Sequence, residues 1–379
     1  MTAPAKILVI GIDSGDRGLI ANWAAEGYLP TFAKLIDGSM TGQVDNPHGL
    51  EAGSAWPTFH TGVTPAKHGQ YEGMRVFDPE LYDHRILRTD EMSRHYFWRH
   101  LEKNGKRFCL IDPEYMRMPE EDFNGTIIAD LSAHAPCDGG TSLNFQTKPA
   151  ELAVEIERKY GTDPLEGIMC DNHKPRTLEQ QRWFRDALVE RTRRKAEIAA
   201  DQLALGGWDF FEVVFADTHC AGHHSWHLHD QTHPEYDSTI ADALGGDPLR
   251  DVYVATDKAI ARLMEAAGPE TKIVVYCSHG IGAEYSGTRM LDRILVALEG
   301  KEPVNYRSPA LNTARAAWRG LPKGMRRALK PVQRRAWTSI MTDGFQPNRR
   351  NRRFFEVYLN NRSAGVRVNL KGREPEGVV

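Results

Sequence analysis

The sequence predicts an α/β protein with a mostly parallel central sheet covered by helices on both faces. Two observations predict it, and a third says where its chemistry lies. Short, continuous apolar runs recur through the 379 residues: KILVIGI (6–12), RFCLI (107–111), DFFEVVF (209–215) and KIVVYC (272–277). Strands buried on both faces read in this unbroken way, whereas half-exposed strands alternate. Long helical patterns separate the runs, as crossover connections between parallel strands require. Finally, three of the four runs end in polar side chains: Asp13, then Asp217 with His219 and His223, then Ser278 with His279.

Taken in order, 6–12 is the first strand, too short to span a membrane or serve as a signal segment. The GIDSGD turn follows at 11–16, with glycine spacing that fits neither a phosphate-cradling loop nor a dinucleotide fingerprint. SAWPTFHTG (54–62) reads as a short helix with Ser54 as N-cap and Gly62 as terminator. Residues 177–205 form a long amphipathic helix before the third strand. A further helix over 247–268 opens with Asp247 as N-cap and Pro248 at its first position, and closes at Gly268.

Apolar residues make up 41% of the chain and charged ones 26%, the profile of a globular protein. The net charge of −3 hides an asymmetry. Between Arg307 and Arg353 lie thirteen Lys/Arg against one acid, Asp343, so a basic segment sits on an acidic body. It reads as a helical insertion over 301–353 within a single domain spanning 1–379. Residues 307–353 offer a contact for an anionic surface, but Trp318 and Trp337 are too few for a nucleic-acid stacking platform, so no specific nucleic-acid partner is expected. A solvated helical face or a subunit contact is the plainer reading. The five cysteines are odd in number and scattered, which fits reduced thiols and a cytoplasmic location.

Five of the fifteen histidines fall within VVFADTHCAGHHSWHLHD (213–230). His219 and His223 are four apart, which on a helix puts both imidazoles on one face, a spacing suited to a transition metal. His224, His227, His229 and His233 read as solvated or supporting, and His173 as structural. In an open α/β sheet ligands gather beyond the carboxyl ends of the strands, so Asp13, Asp217, His219, His223 and His279 are candidate metal ligands from separate segments. A serine at a helix start lies in the positive end of the helix dipole, where an activated hydroxyl could attack an anionic phosphoryl or sulfuryl centre. Ser54 is that candidate, with plain capping as the structural alternative.

These elements together resemble the type I phosphodiesterase/nucleotide pyrophosphatase branch of the alkaline phosphatase superfamily. ILVIGIDSGD is similar to its first strand with a metal-binding Asp, and SAWPTFHTGVTPAKHG to its nucleophile helix. DTHCAGHHSWH resembles its D-x-x-GH element, YCSHGIG its S-D-H-G element, and GVRVNLKGREPEG (365–377) a stretch typical of the branch. The resemblance implies an alkaline phosphatase-like fold and a metal-dependent hydrolase of phosphodiester or pyrophosphate bonds, acting through a covalent seryl-phosphate on a small-molecule or glycan-linked phosphate ester. Asp13 and His279 would hold one cation; His219 and His223, with Asp217, would hold a second. Zinc is the first choice, with manganese or iron as alternatives.

The chain departs from the pattern in four places. Ala52 stands at the usual nucleophile register, with Ser54 two residues on. Ser278 and His219 stand where relatives carry aspartates. Relatives also draw a ligand from beyond the GREPEG-like stretch, where this sequence reaches Val379. Either a carboxyl-terminal portion is missing, or the site works with fewer ligands. Two rivals follow: a sulfatase, phosphonate hydrolase or phosphotransferase on the same scaffold, and a non-catalytic relative that binds anionic ligands.

Overall fold

The computed structural model describes residues 5–50, 53–71, 75–86, 96–119, 124–134, 143–166, 168, 174–283, 290–302, 325, 349–359 and 363–379. In chain order the elements begin β1 (Ala5–Ile12), α1 (Arg17–Ala25), α2 (Pro30–Gly38), α3 (Ala55–Thr61), α4 (Pro65–His68), β2 (Arg75–Asp78) and β3 (Asp83–Ile86). Next come α5 (Trp98–Lys103), β4 (Phe108–Ile111), β5 (Gly125–Ala129), β6 (Gln146–Lys148), α6 (Glu151–Tyr160) and α7 (Leu178–Ala204). The chain continues through β7 (Trp208–Phe215), α8 (Asp217–His229), α9 (Ser238–Leu244), α10 (Pro248–Ala267), β8 (Lys272–Cys277), α11 (Met290–Leu298), β9 (Phe354–Tyr358) and β10 (Ala364–Val368).

These elements cluster into two compact units, one within Met1–Met74 and Arg88–Tyr285, the other within Arg75–Leu87 and Ser286–Val379. The first unit is built on a six-stranded sheet in the order β6-β5-β4-β7-β1-β8. All its pairings are parallel except β5 with β6. Leu8, Ile10 and Ile12 of β1 and Val213, Val214 and Phe215 of β7 are fully buried, which accounts for the unbroken apolar runs.

Register decides where the chemistry can sit. Ile12 pairs with Phe215 on one side and Cys277 on the other, so β1, β7 and β8 end level with one another. Asp13 N–H donates to the Phe215 carbonyl at 2.8 Å and Ser278 N–H to that of Ile12 at 3.3 Å. The residues just past three distant strands therefore share one rim of the sheet.

The two long helices start where their caps dictate. Thr177 accepts from Gln180 N–H while the Gln180 side chain accepts from Thr177 N–H, a reciprocal cap for α7. Asp247 accepts from the amides of Leu249 and Arg250, with Pro248 following. α7 and α10 pack against each other and bury Phe184, Leu188, Ala199, Leu203, Val252, Ile260 and Leu263 in the core. The inner face of α7 also buries Arg191, Thr192 and Lys195. Burial of such groups is tolerated only where partners wait for them, and the strand ends supply those partners.

The second unit holds two antiparallel ribbons, β2–β3 and β9–β10, with α11. Arg352 and Asp292 form a buried pair at 2.8 Å. In the GREPEG-like stretch after β10, Glu374 accepts from Leu370 N–H at 2.9 Å and pairs with Arg367 and Arg373. The acid there closes a turn. Most of the expected basic insertion over 301–353 lies outside the described residues, as do Ala52 and His173. Among the described residues no helix is long and apolar enough to cross a membrane.

Candidate active site

Four of the sequence-derived candidates lie together at the rim formed by β1, β7 and β8. Asp13 Oδ2 is 2.8 Å from Nδ1 of His219, and Asp13 Oδ1 is 3.9 Å from Nδ1 of His279. Ser14 Oγ bridges the two imidazoles, 2.7 Å from His219 Nδ1 and 3.0 Å from His279 Nε2. Ligand atoms of Asp13, His219 and His279 all fall within 4.8 Å of one another. His223 stands one turn along α8 from His219, with the two Nε2 atoms 2.9 Å apart. Gly222 lets this helix approach the loop after β8, since a Cβ there would lie 2.4 Å from Ile281 Cδ1.

Asp217 and Ser54 contact other partners. Asp217 opens α8 fully buried. Its Oδ2 accepts from Thr192 Oγ1 at 3.0 Å and its Oδ1 is 3.6 Å from Arg191 Nη1. Arg191 Nε also lies 3.1 Å from Asp163. Ser54 precedes α3 and is fully buried, but its hydroxyl donates back to the Leu50 carbonyl rather than capping the helix. Trp56, two residues on, supplies the link to the rim: its Nε1–H donates to Asp13 Oδ1 at 2.8 Å. Ser278 Oγ donates to the same oxygen at 3.0 Å and lies 2.8 Å from His279 Nδ1.

Sequence reading missed a further wall of the site. His134, after β5, stacks on His219 with ring centroids 3.6 Å apart. Its amide donates to the buried Glu114, which follows β4. Both residues follow strand ends, as Asp13 does, and that position is the signal that could have found them. Beneath them Lys195 reaches Asp112 Oδ2 at 2.7 Å with both side chains fully buried, and it donates to the carbonyls of Val214 and Ser132.

Burial and neighbouring charges set the protonation states at this rim. Burial opposes the charge on Asp13, but the charge and hydrogen bond of His219, then the charges of His279 and His134, hold its carboxyl far below the usual range. Burial, reinforced by His134, pushes His219 down to about 4. An ionised carboxylate beside a neutral imidazole is the state in which both can ligate a metal. One carboxylate and two imidazoles also match a catalytic zinc donor set that leaves a position open. Burial and then Asp13 push Glu114 up to about 8. His134 is raised to about 9, burial being outweighed by Cys220, Asp13 and Glu114.

Comparison with known proteins gives the following. The model of the type I phosphodiesterase / nucleotide pyrophosphatase family matches residues 7–362. No curated protein sequence matches the chain. Among solved structures, phosphonoacetate hydrolase from Sinorhizobium meliloti 1021 in complex with phosphonoformate is 14% identical with a TM-score of 0.43, over 79% of this chain and 63% of that one. Its complex with phosphonoacetate is also 14% identical, with a TM-score of 0.40 over 81% and 66%. The chain thus spans just under two thirds of the length of either structure.

Proposed function

Because the chain belongs to the type I phosphodiesterase / nucleotide pyrophosphatase family, we propose that it is a metal-dependent hydrolase of phosphodiester or pyrophosphate bonds in a small-molecule or glycan-linked phosphate ester. The observation that carries this reading is the convergence of Asp13, His219 and His279 within 4.8 Å. The family match runs through both units, which supports treating them as one catalytic domain.

Asp13, His219 and His279 would hold a divalent cation, with zinc the first choice for imidazole-rich ligation and manganese or iron next. Bound there, the cation supplies Lewis-acid polarisation of the phosphoryl oxygens and offsets the charge that builds on them.

The chain's own residues perform the rest. Ser54 Oγ is the proposed nucleophile: its bond to phosphorus forms as the bond to the leaving-group oxygen breaks, and the hydroxyl proton ends on that leaving group. A water then displaces the seryl oxygen, regenerating Ser54 and releasing the second product. In the resting chain the Ser54 hydroxyl is engaged by the Leu50 carbonyl, so attack requires Oγ to turn away from it. Trp56 holds the helix that follows Ser54 against Asp13. Cys109, Cys220 and Cys277 are thiols, which supports a reducing, cytoplasmic setting.

Turnover of a bis-aryl phosphodiester, with aryl sulfates and phosphonates alongside, tests the reading. Diester cleavage that His279→Ala abolishes is expected; preferential turnover of the sulfate or phosphonate would replace it. The engagement of Ser54 by Leu50 favours a second reading, a relative that binds phosphorylated ligands without cleaving them. Bound metal with no turnover on any ester would select it.

A further inference from the structure

The resemblance in the sequence implies two cation positions, yet the side chains expected to build the second are committed to other partners. Asp217 accepts from Thr192 on Oδ2, and its Oδ1 faces the buried Arg191 at 3.6 Å, an ion-pair contact without a hydrogen bond. Ser278 stands where relatives carry a carboxylate, and its hydroxyl donates to Asp13 instead of adding a negative charge. The Nε2 atoms of His223 and His219, 2.9 Å apart, share one hydrogen bond, while Nδ1 of His219 faces Asp13. Asp13 is the sole carboxylate in the Asp13–His219–His279 group, and the nearby Glu114 is engaged by the amide of His134. Two dications a few ångströms apart repel strongly at the low effective dielectric of a protein, and one carboxylate cannot offset both.

We infer that the chain holds one divalent cation, on Asp13, His219 and His279, with Arg191 withdrawing Asp217 from ligation and His223 acting as a positioning residue for the His219 ring. The inference rests on the metal-dependent reading above and fixes how many cations that reading involves. A residue that holds a ligating histidine through its second nitrogen orients that ring and tunes metal affinity without being a ligand itself. Three protein ligands with an open position are sufficient for a catalytic zinc.

Titration of the metal-stripped full chain with cobalt(II), read by visible absorption and checked by elemental analysis, decides the matter. Saturation at one equivalent is expected. His219→Ala and His279→Ala should each weaken binding by about 100-fold or more. His223→Gln should weaken it about 10-fold at unchanged stoichiometry, in the range for outer-support residues. Asp217→Asn should leave both stoichiometry and spectrum unchanged. Saturation at two equivalents, or a lost equivalent in Asp217→Asn, overturns the single-cation inference and leaves the hydrolase reading standing. No bound cation overturns both. The wild-type stoichiometry needs no variant, so a variant that misfolds leaves the test intact.

Discussion

The indole Nε1–H of Trp56 donates to Asp13 Oδ1 at 2.8 Å, fastening the helix that follows Ser54 to the strand end that carries the rim's ionised carboxylate. The ring stacks at 26° on His60, which itself lies 2.9 Å from the buried Glu212 of β7. Trp56→Phe keeps most of this packing and removes only the donor. Cation affinity, measured by competition with a chromogenic chelator, should fall about 10-fold with the circular dichroism spectrum unchanged. Equal affinity would show that Asp13 needs no such orientation.

Gly11 makes the approach of Trp56 over β1 feasible, because a Cβ at this position would lie 2.5 Å from Trp56 Cη2 and 3.0 Å from Val214 Cγ2. A buried indole cannot yield as a flexible chain end can. Gly11→Ala should cost about 1–3 kcal/mol in urea unfolding, the usual penalty for overpacking. An unchanged midpoint would contradict this packing.

Much of the fold was legible because its physics is local. The runs of β1, β7 and β8 had to be continuous once both faces were buried, and Asp247 with Pro248 marked the start of α10 by its capping chemistry. β6, with the sequence QTK, has no apolar signal and exists through pairing with β5. Glu114 and His134 sit in loops without periodicity, reached after Asp112 and Asp130 turn the chain at φ 50° and 56°. The commitments of Asp217 were hidden for another reason. Residues 191–195, RTRRK, contain no apolar residue, and only tertiary packing shows that Arg191, Thr192 and Lys195 are buried.

His68 gives a pH signature that does not involve the metal ligands. Its Nδ1 accepts from Gln70 N–H at 3.0 Å and its Nε2 lies 3.0 Å from Thr58 Oγ1, so protonating Nδ1 breaks a bond. Burial lowers its pKa from 6.5 to about 4. Between these values the unfolded chain binds a proton that the folded chain refuses. The contribution is thus fully present above pH 6.5 and is lost as pH falls toward 4, by about 2–3 kcal/mol in all. His68→Asn should reduce the loss of stability between pH 7 and 4.5 relative to wild type. An identical loss in both proteins would assign the effect to other groups.

Lys195 and Asp112 are fully buried 2.7 Å apart, and removing one partner strands the other charge. Lys195→Met should destabilise the fold by about 3–5 kcal/mol, read from denaturant midpoints. A loss under 1 kcal/mol would mean that the amides of Leu131 and Ser132, which also donate to Asp112, are sufficient alone.

The most direct measurement compares bis(4-nitrophenyl) phosphate hydrolysis by the zinc-loaded chain, the chelator-stripped chain, and the stripped chain with zinc restored. The gathering of Asp13, His219 and His279 at one sheet rim predicts turnover that disappears on stripping and returns with zinc. Equal turnover in all three samples would place the chemistry outside this cluster.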